Sequence, residues 1–586
     1  MNKKVILTLV VIGVLALTIC FFVMYNKKNA IGGNEVNVGN SNKIDSWEFD
    51  NKDIEDETVS FSSFTNKGMS VFDSISSSSV TGAVEASDAT IGFSTGGAKD
   101  VENFRKNIEN GYFPLFTDIT YNGIFYDYAF DTGKSEESDE LFYPTYSTAI
   151  SRDPISEEDE FYMTVGLNSN IKESDFSRKK LNLVVVLDIS GSMSSPFDSY
   201  YYDLDMEDKE DKDLEKSKME IANESVNILI DQLNDDDRFG MVLFDNQSYI
   251  GTQIKMISEM DVDAIKEHIL EIDSHGGTNF ESGYTRATEL LREYQNLDAD
   301  EYENRIIVIT DAMPNTGDTS KEGLVSYIKE NAEIGTYTTF IGVGVDFNSE
   351  LTETLSDVRG ANYYSVHNSD EFKKRMGEQF EYMVTPLVFD LKMDFDSRDY
   401  EIEAVYGSDT VNKEDGNIMK VNTLFPSKTE STGEVKGGVI LLKLKKKNEN
   451  ENGDIILNVS YEDRKGEQYS NSQVVEFNRG GEYYENTGIR KAIVLTRYVN
   501  VLKNWILYER SEDDRFIYLP TNWVLLEDEV YQIIGEHERT SVELSVSETY
   551  KEIFEKIKYY IEAENEVIED ENLNQEIDVL NELILY

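Results

Sequence analysis

The stretch LNLVVVLDISGSM, residues 181–193, decides how the middle of this 586-residue chain folds. Its apolar run LVVVL, residues 183–187, is unbroken, which is typical of a strand that is buried on both faces of a parallel sheet. The run stops at Asp188, and hydroxyl groups follow at Ser190 and Ser192 with a glycine between them. Three small oxygen-bearing side chains therefore stand at the carboxyl end of a predicted buried strand.

Apolar strands and amphipathic helices alternate from residue 181 to about residue 383. Further strands are predicted in RFGMVLF, RIIVITD and TYTTFIGVGV, and helices in LEKSKMEIANESVNILIDQL, FESGYTRATELLREY and SKEGLVSYIKENAEIG. This alternation predicts an α/β fold, a doubly wound and mostly parallel sheet with helices on both faces. In such folds ligands bind beyond the carboxyl ends of the strands.

The sequence on either side of this domain has a different pattern. Residues 387–478 contain the period-two runs VILLKLKK and DIILNVSYED, which predict an antiparallel β unit. The run EFYMTVGL, before the α/β domain, is a candidate strand of the same unit, which would make the α/β domain an insertion between two halves of a β-sandwich. Around 98–130, Phe104, Ile108 and Tyr112 share one helical face, and the later aromatic residues fit extended structure. From residue 486 onward the pattern is helical.

A chain of this length is expected to form several domains. The predicted parts are a transmembrane anchor or signal at 1–28, a flexible linker at 29–97, an N-terminal α+β region at 98–180, the α/β domain at 181–383, a β-rich domain at 384–480 and a helical C-terminal region at 481–586.

The overall charge of the chain is strongly negative. Its 113 Asp and Glu residues outnumber 55 Lys and Arg residues, for a formal net charge of -58. This charge opposes binding to nucleic acid and to anionic lipid headgroups, and it makes cations the natural counterpart. The hydrophobic fraction of 39% is enough for folded cores, which excludes global disorder.

Cysteine and histidine are too scarce to build the common zinc or disulfide sites. The single cysteine, Cys20, can form no disulfide within the chain. It could anchor a bacterial lipoprotein, but Ile19 stands where a small residue is wanted. The four histidines are scattered without ligand spacing and are His268, His275, His367 and His537. Any metal site in this chain would therefore have to use oxygen ligands.

Residues 5–25 carry no charge and reach the roughly 20 residues that a helix needs to cross a bilayer. The length of this apolar segment and the lack of small residues at its end favour an uncleaved single-pass anchor over a cleaved signal. Lysines both precede and follow the segment, so the positive-inside rule does not decide its orientation. The short basic head and the long acidic remainder favour a cell-membrane protein whose bulk is extracytoplasmic.

Two further loops should leave the same edge of the sheet as Asp188. These are Gly276-Gly277-Thr278-Asn279, before a predicted helix, and Thr310-Asp311, directly after RIIVI. Two carboxylates with several hydroxyls suit Mg²⁺, Mn²⁺ or Ca²⁺ rather than zinc, and the small neutral ligands favour Mg²⁺. Mg²⁺ keeps several waters, so the site would retain an exchangeable position that a partner's carboxylate could fill.

The patterns D-x-S-G-S at 188–192, G-G-T-N at 276–279 and T-D at 310–311 resemble a von Willebrand factor type A domain over roughly 181–383. The resemblance implies a complete metal-ion-dependent adhesion site. Ser190 and Ser192 would then ligate the metal directly, Thr278 directly or through water, and Asp188 and Asp311 largely through water. The preceding stretch ENFRKNIENGYFPLFTDITYNGIFYDYAF resembles bacterial proteins of this type that are related to inter-alpha-trypsin-inhibitor heavy chains.

An acidic insert, residues 194–216, follows the first metal loop and could cover or tune the site. Acidic residues alternate within it as they do in a calcium-binding EF-hand loop. The match fails because Asp208 occupies the position that demands glycine, and Leu214 the position of the bidentate glutamate. We therefore expect no dedicated calcium loop here.

The function expected from these features is metal-dependent binding of an acidic residue on a protein partner, in adhesion or complex assembly. A further possibility is a channel-associated subunit, which would differ from an adhesion protein mainly in the partner that it binds. The alternative is a Mg²⁺-dependent hydrolase or phosphatase, but phosphatases of the haloacid dehalogenase type place a second aspartate where Ser190 stands. The chain also lacks the P-loop motif of nucleotide-binding proteins. A serine hydrolase would need a histidine as general base near Ser190 or Ser192, and the sequence gives no reason to place any of the four histidines there. We therefore expect no catalysis.

Overall fold

The computed structural model describes residues 43–51, 92–95, 101–133, 142–154, 157–169, 177–196, 216–295, 301–311, 321–344, 358–366, 369–407, 417–427, 435–447, 455–475, 482–510 and 542–586. The described strands are β1 (Gly92–Thr95), β2 (Ala129–Phe130), β3 (Phe142–Arg152), β4 (Asp159–Ser169), β5 (Lys180–Asp188), β6 (Arg238–Phe244), β7 (Ser248–Met256), β8 (Tyr302–Thr310), β9 (Thr336–Val343), β10 (Asn362–Val366), β11 (Val388–Ser397), β12 (Tyr400–Tyr406), β13 (Asn417–Ser427), β14 (Val435–Lys436), β15 (Val439–Lys446), β16 (Ile455–Asp463), β17 (Gln468–Val475) and β18 (Tyr483–Tyr484). The described α-helices are α1 (Glu102–Glu109), α2 (Tyr121–Asp127), α3 (Lys218–Ile230), α4 (Val262–Leu270), α5 (Phe280–Leu291), α6 (Lys321–Glu333), α7 (Ser369–Met376), α8 (Phe380–Val384), α9 (Thr487–Arg510), α10 (Glu548–Ile568) and α11 (Asn574–Leu585).

The predicted α/β sheet is present, with strand order β10-β9-β8-β5-β6-β7. Strand β5 lies inside the sheet and pairs in parallel with both β8 and β6. Strand β7 pairs antiparallel with β6 at one edge, so the sheet is mostly parallel, as expected. The order reverses at β5, which is the place where doubly wound sheets open a crevice for a ligand.

The apolar run of β5 is buried because helices cover both faces of the sheet. Leu183, Val185 and Leu187 belong to one core, which they share with α3, α4 and α7. Val184 and Val186 point to the opposite face and pack with α5 and α6. Side chains alternate across a strand, so a strand covered on both faces needs apolar residues at consecutive positions. The unbroken run of apolar residues in this strand is therefore explained.

A β-sandwich flanks the α/β domain on both sides of it in the sequence. One sheet has the order β1-β13-β11-β16-β17 and the other β12-β15-β4-β3-β18. Strand β4 precedes the α/β domain and pairs antiparallel with β15, which follows it. This pairing is the contact expected if the α/β domain is an insertion between two halves of one sandwich. A shared core that includes Met163, Leu442 and Val459 lies between the two sheets.

The C-terminal helices pack on the outer face of the second sheet. Helices α9, α10 and α11 join α1 and α2 in one core around Trp505, which is fully buried. The described part of the predicted helical C-terminal region is largely helical, in α9, α10 and α11. Phe104 and Ile108 lie on α1 and are buried, as one helical face would require, but Tyr112 lies beyond the end of α1 and forms a β-bridge with Glu543. The extended structure expected for the aromatic residues after Tyr112 is wrong in part. Residues Tyr121–Asp127 form α2, capped by the Thr120 side chain, which accepts a hydrogen bond from the Gly123 backbone N–H.

Two pieces of the segment predicted as a linker make backbone contacts. Strand β1 pairs with β13. Residues 45–51 lie along the edge strand β7, where the Glu48 N–H donates to the Gly251 carbonyl at 2.8 Å. Trp47 stacks on His268, and Phe49 is 7% exposed within the α/β core. The backbone groups at this part of β7 are therefore covered.

No helix among the described residues is long and apolar enough to cross a bilayer. The predicted anchor, residues 5–25, lies outside the described residues, as does most of the acidic insert.

We predict that Gly283→Ala will destabilise the α/β domain, although alanine usually favours a helix. A Cβ at this position of α5 would lie 2.8 Å from ring atoms of Phe244 at the end of β6, so helix and sheet would have to move apart. Overpacking of this kind costs about 1–3 kcal/mol of unfolding free energy. The midpoint of urea denaturation measures it. Thr285→Ala, at an exposed position of the same helix, is the control, and an unchanged midpoint in Gly283→Ala would contradict the close packing.

Candidate metal-binding site

Three loops meet at the carboxyl edge of the sheet, namely the loop after β5, the loop before α5 and the loop after β8. The Gly191 N–H donates to the Gly276 carbonyl at 3.1 Å, and the His275 N–H donates to the Ile189 carbonyl at 2.6 Å. The loop that carries Thr278 therefore lies directly against the loop that follows Asp188. Asp188 and Asp311 meet at this edge because β5 and β8 are neighbours in the sheet. The loop of Thr278 connects α4 to α5 and is held at the edge by these backbone hydrogen bonds.

Asp188 is fully buried, and both of its carboxylate oxygens are held. Its Oδ1 accepts a hydrogen bond from the Ser190 backbone N–H at 2.8 Å, and its Oδ2 accepts one from the Thr310 hydroxyl at 2.6 Å. The first bond shapes the turn after β5, and the second ties the end of β5 to the end of β8. The carboxylate is thus fixed by its own loop and by the neighbouring strand.

Hydroxyl groups extend this arrangement to the second carboxylate. Ser190 Oγ and Ser192 Oγ lie 3.1 Å apart, and the Ser192 hydroxyl donates to Asp311 Oδ1 at 2.8 Å. Four of the five predicted site residues therefore form one chain of hydrogen bonds. The fifth, Thr278, is 2% exposed in the adjoining loop.

Burial and the neighbouring Asp311 carboxylate raise the pKa of Asp188 to about 7, against the hydrogen bonds from Thr310 and Ser190, which lower it. Two carboxylates that share a buried site disfavour each other's ionised form. A divalent cation would relieve this repulsion. The electrostatics of the site therefore fit a bound cation.

The donor set decides which cations would fit. Among the residues that the structure describes, no three His, Cys, Asp or Glu side chains cluster as a metal site. A cation here would depend on hydroxyl oxygens from serine and threonine in addition to the two aspartates. Hard oxygen donors suit Mg²⁺ or Mn²⁺, which retain water ligands where the protein supplies few.

Two neighbours of the site were not predicted from the sequence. The Lys218 ammonium lies 3.0 Å from Asp311 Oδ2, and both side chains are fully buried. Asp245 directly follows β6, and its Oδ2 lies 3.1 Å from His275 Nδ1. A single lysine or aspartate near a helix or strand end carries no signal of such contacts.

Asp245 also explains why the glycine loop contains Gly276. A Cβ on Gly276 would lie 2.7 Å from Asp245 Oδ2, and the backbone there has a φ of +77°. Both facts require glycine, because an L side chain is strained at this φ and would collide with the carboxylate. This glycine thereby lets the loop approach β6 and carry Thr278 to the site.

We predict that Asp188→Asn will stabilise the metal-free protein, and more so at pH 8 than at pH 5. The pKa of Asp188 is raised from 3.8 to about 7, so between these values the native state binds more protons than the unfolded state. This group's contribution to stability therefore falls as pH rises through that range. An amide avoids the buried charge while accepting from Ser190 and donating to Thr310. Thermal midpoints with a chelator present measure the effect, and a difference that does not change with pH would contradict it.

Comparisons with known proteins identify the class of the α/β domain. Residues 183–313 match the family model for the von Willebrand factor type A domain. The human inter-alpha-trypsin inhibitor heavy chain H2 is 22% identical over 218 residues, which cover 36% of this chain and 21% of that protein. The Escherichia coli protein YfbK is 24% identical over 216 residues, or 36% of this chain and 32% of YfbK.

Among solved structures, a von Willebrand factor type A protein from Catenulispora acidiphila matches with a TM-score of 0.38 and 12% identity, over 64% of this chain and 84% of that one. The match to the heavy chain spans about a fifth of that protein's length. The chain therefore contains a von Willebrand factor type A domain that is homologous to those of inter-alpha-trypsin inhibitor heavy chains and of bacterial proteins of this type.

Proposed function

We propose that this chain is a membrane-anchored, extracytoplasmic binding protein. Its type A domain holds Mg²⁺ and uses the ion to engage an acidic residue of a protein partner, in adhesion or in assembly of a complex. The proposed ligands, as a complete metal-ion-dependent adhesion site, are Asp188, Ser190, Ser192, Thr278 and Asp311. The observation that carries the proposal is the chain of hydrogen bonds from Asp188 through Ser192 to Asp311 at the carboxyl edge of the sheet.

The class of domain supports this proposal. Von Willebrand factor type A domains commonly mediate protein–protein interaction and adhesion, and they typically bind a divalent metal. Proteins related to inter-alpha-trypsin inhibitor heavy chains are mostly interaction proteins rather than enzymes. A bound ion would supply a positive centre that accepts a carboxylate oxygen from the partner.

The exposure of the site residues suggests the direction from which a partner would approach. Asp188, Thr278 and Asp311 are each at most 2% exposed and form the inner side of the site. Ser192 is half-buried and Gly276 is exposed, so the loop tips form an outer rim. A carboxylate from another molecule would reach the ion across this rim.

The membrane anchor and the orientation of the chain are proposed from residues 5–25, which carry no charge. A cysteine that replaces the exposed Ser194, in a chain where Cys20 is changed to serine, should react with a membrane-impermeant maleimide on intact cells. Labelling that needs cell lysis would reject the extracytoplasmic orientation. Proximity labelling from the same position would identify the partner.

We predict that Ser190→Ala and Ser192→Ala will each weaken Mn²⁺ binding by at least about tenfold, because each removes a proposed direct ligand. Titration calorimetry measures the affinity, and circular dichroism checks that each variant is folded. The matched control is Ser194→Ala, which lies in the same loop but donates its hydroxyl to the Gly191 carbonyl.

Equal affinity in Ser190→Ala, Ser192→Ala and wild type would reject the assignment of the ligands. The alternative function, a metal-dependent phosphatase, has its own test on a panel of phosphate esters. Turnover that depends on metal and is lost in Asp188→Ala would replace the binding function by a catalytic one.

A further inference from the structure

Lys218 is held rigidly at the start of α3. Ser217 and Glu220 form a capping box, in which the Glu220 N–H donates to Ser217 Oγ at 3.2 Å and the Ser217 N–H donates to Glu220 Oε2 at 2.8 Å. This cap fixes the first turn of the helix. Lys218 is the first helical residue, and its side chain is fully buried. Lysine is almost never fully buried without a partner, so this ammonium group needs a carboxylate beside it.

A second element of the sheet leaves space for the lysine. Gly344 directly follows β9 and has a φ of +93°. A Cβ on this residue would lie 2.6 Å from Lys218 Cε and 3.1 Å from its Nζ. The absence of a side chain at Gly344 therefore allows the lysine to extend across the end of the sheet. The start of α3 and the end of β9, which are far apart in the sequence, together determine the position of this ammonium group.

That ammonium group is directed at the proposed site. Lys218 Nζ lies 3.0 Å from Asp311 Oδ2, while Asp311 Oδ1 accepts from the Ser192 hydroxyl. One oxygen of Asp311 thus faces the hydroxyl chain, and the other faces the ammonium. Asp188, Asp311 and Lys218 together carry a net charge of about one negative unit when all three are ionised.

We propose that Lys218 is a specificity-determining residue that sets the charge of the metal site. This inference rests on the proposed function. The ammonium repels the divalent ion and engages one oxygen of Asp311, so the metal binds less tightly and keeps more of its positive charge. An ion that keeps more positive charge attracts a carboxylate from another molecule more strongly. Lys218 therefore weakens metal affinity and strengthens the attraction for an acidic partner.

A purely structural role for Lys218 leads to a different expectation. If the lysine served only to neutralise Asp311 in the fold, its removal would destabilise the protein, because breaking a buried ion pair leaves one charge uncompensated. Metal affinity would then stay the same, or fall as the site lost its shape. The two roles are therefore distinguished by the direction in which metal affinity changes.

The test is titration calorimetry of the full chain with Mn²⁺ alone, for wild type, Lys218→Met and the charge-keeping Lys218→Arg. We expect Lys218→Met to bind Mn²⁺ about tenfold more tightly or better, because a nearby positive charge is removed. Its thermal midpoint without metal should be lower than that of wild type, and its midpoint should rise more on adding Mn²⁺. Lys218→Arg should keep an affinity close to that of wild type.

A second pair of variants covers the case in which Lys218→Met does not fold. These are Asp311→Asn and Asp311→Asn with Lys218→Met, which differ in the ammonium group. Because Asp311→Asn leaves that ammonium unpaired, thermal midpoints without metal set a temperature at which both variants are folded, and Mn²⁺ affinity is compared there. We expect the double variant to bind Mn²⁺ more tightly than Asp311→Asn. Equal or weaker binding, in either comparison, would overturn the proposal for Lys218. Failure of the wild-type chain to bind Mn²⁺ would instead reject the proposed metal site itself.

Discussion

The buried carboxylate of Asp188 is the constraint on which the edge of the sheet depends. It ends the central strand, shapes the next turn through the Ser190 N–H, and accepts the Thr310 hydroxyl from the neighbouring strand. A buried carboxylate without these donors would be costly. The loops that surround it are arranged so that both of its oxygens are satisfied, and the same arrangement places Ser190 and Ser192 beside Asp311.

Much of the α/β domain could be predicted because its signals are local. An apolar run that alternates between two covered faces is readable in LNLVVVL, and the helices between the strands have their own periodicity. The aspartates and serines of the site could be predicted because they follow β5 and β8, and the parallel arrangement of these strands makes their carboxyl ends neighbours. Thr278 instead precedes α5, and its signal is the glycine-rich motif at 276–279. The sequence does not show which hydrogen bonds connect them.

Contacts that depend on tertiary packing could not be predicted from the sequence. Lys218 belongs to a helix whose period is clear, yet nothing near it in the sequence indicates Asp311, which lies 93 positions further on. The aromatic residues of α2 favour strands, but burial against α9 and the Thr120 cap stabilise a helix there. In both cases a distant part of the chain decides the local outcome.

The pairing of Gly166 on β4 with Val439 on β15 has a consequence for how the chain acquires its structure. The hairpin of β3 and β4 leaves the ribosome long before the strand that completes its sheet. The whole type A domain is synthesised in between, and its described strands pair with one another within a single six-stranded sheet, so its folding need not wait for β15. Until β15 has been synthesised, the apolar residues of the hairpin of β3 and β4 stay exposed. Chaperone dependence during synthesis should therefore arise from the sandwich rather than from the type A domain.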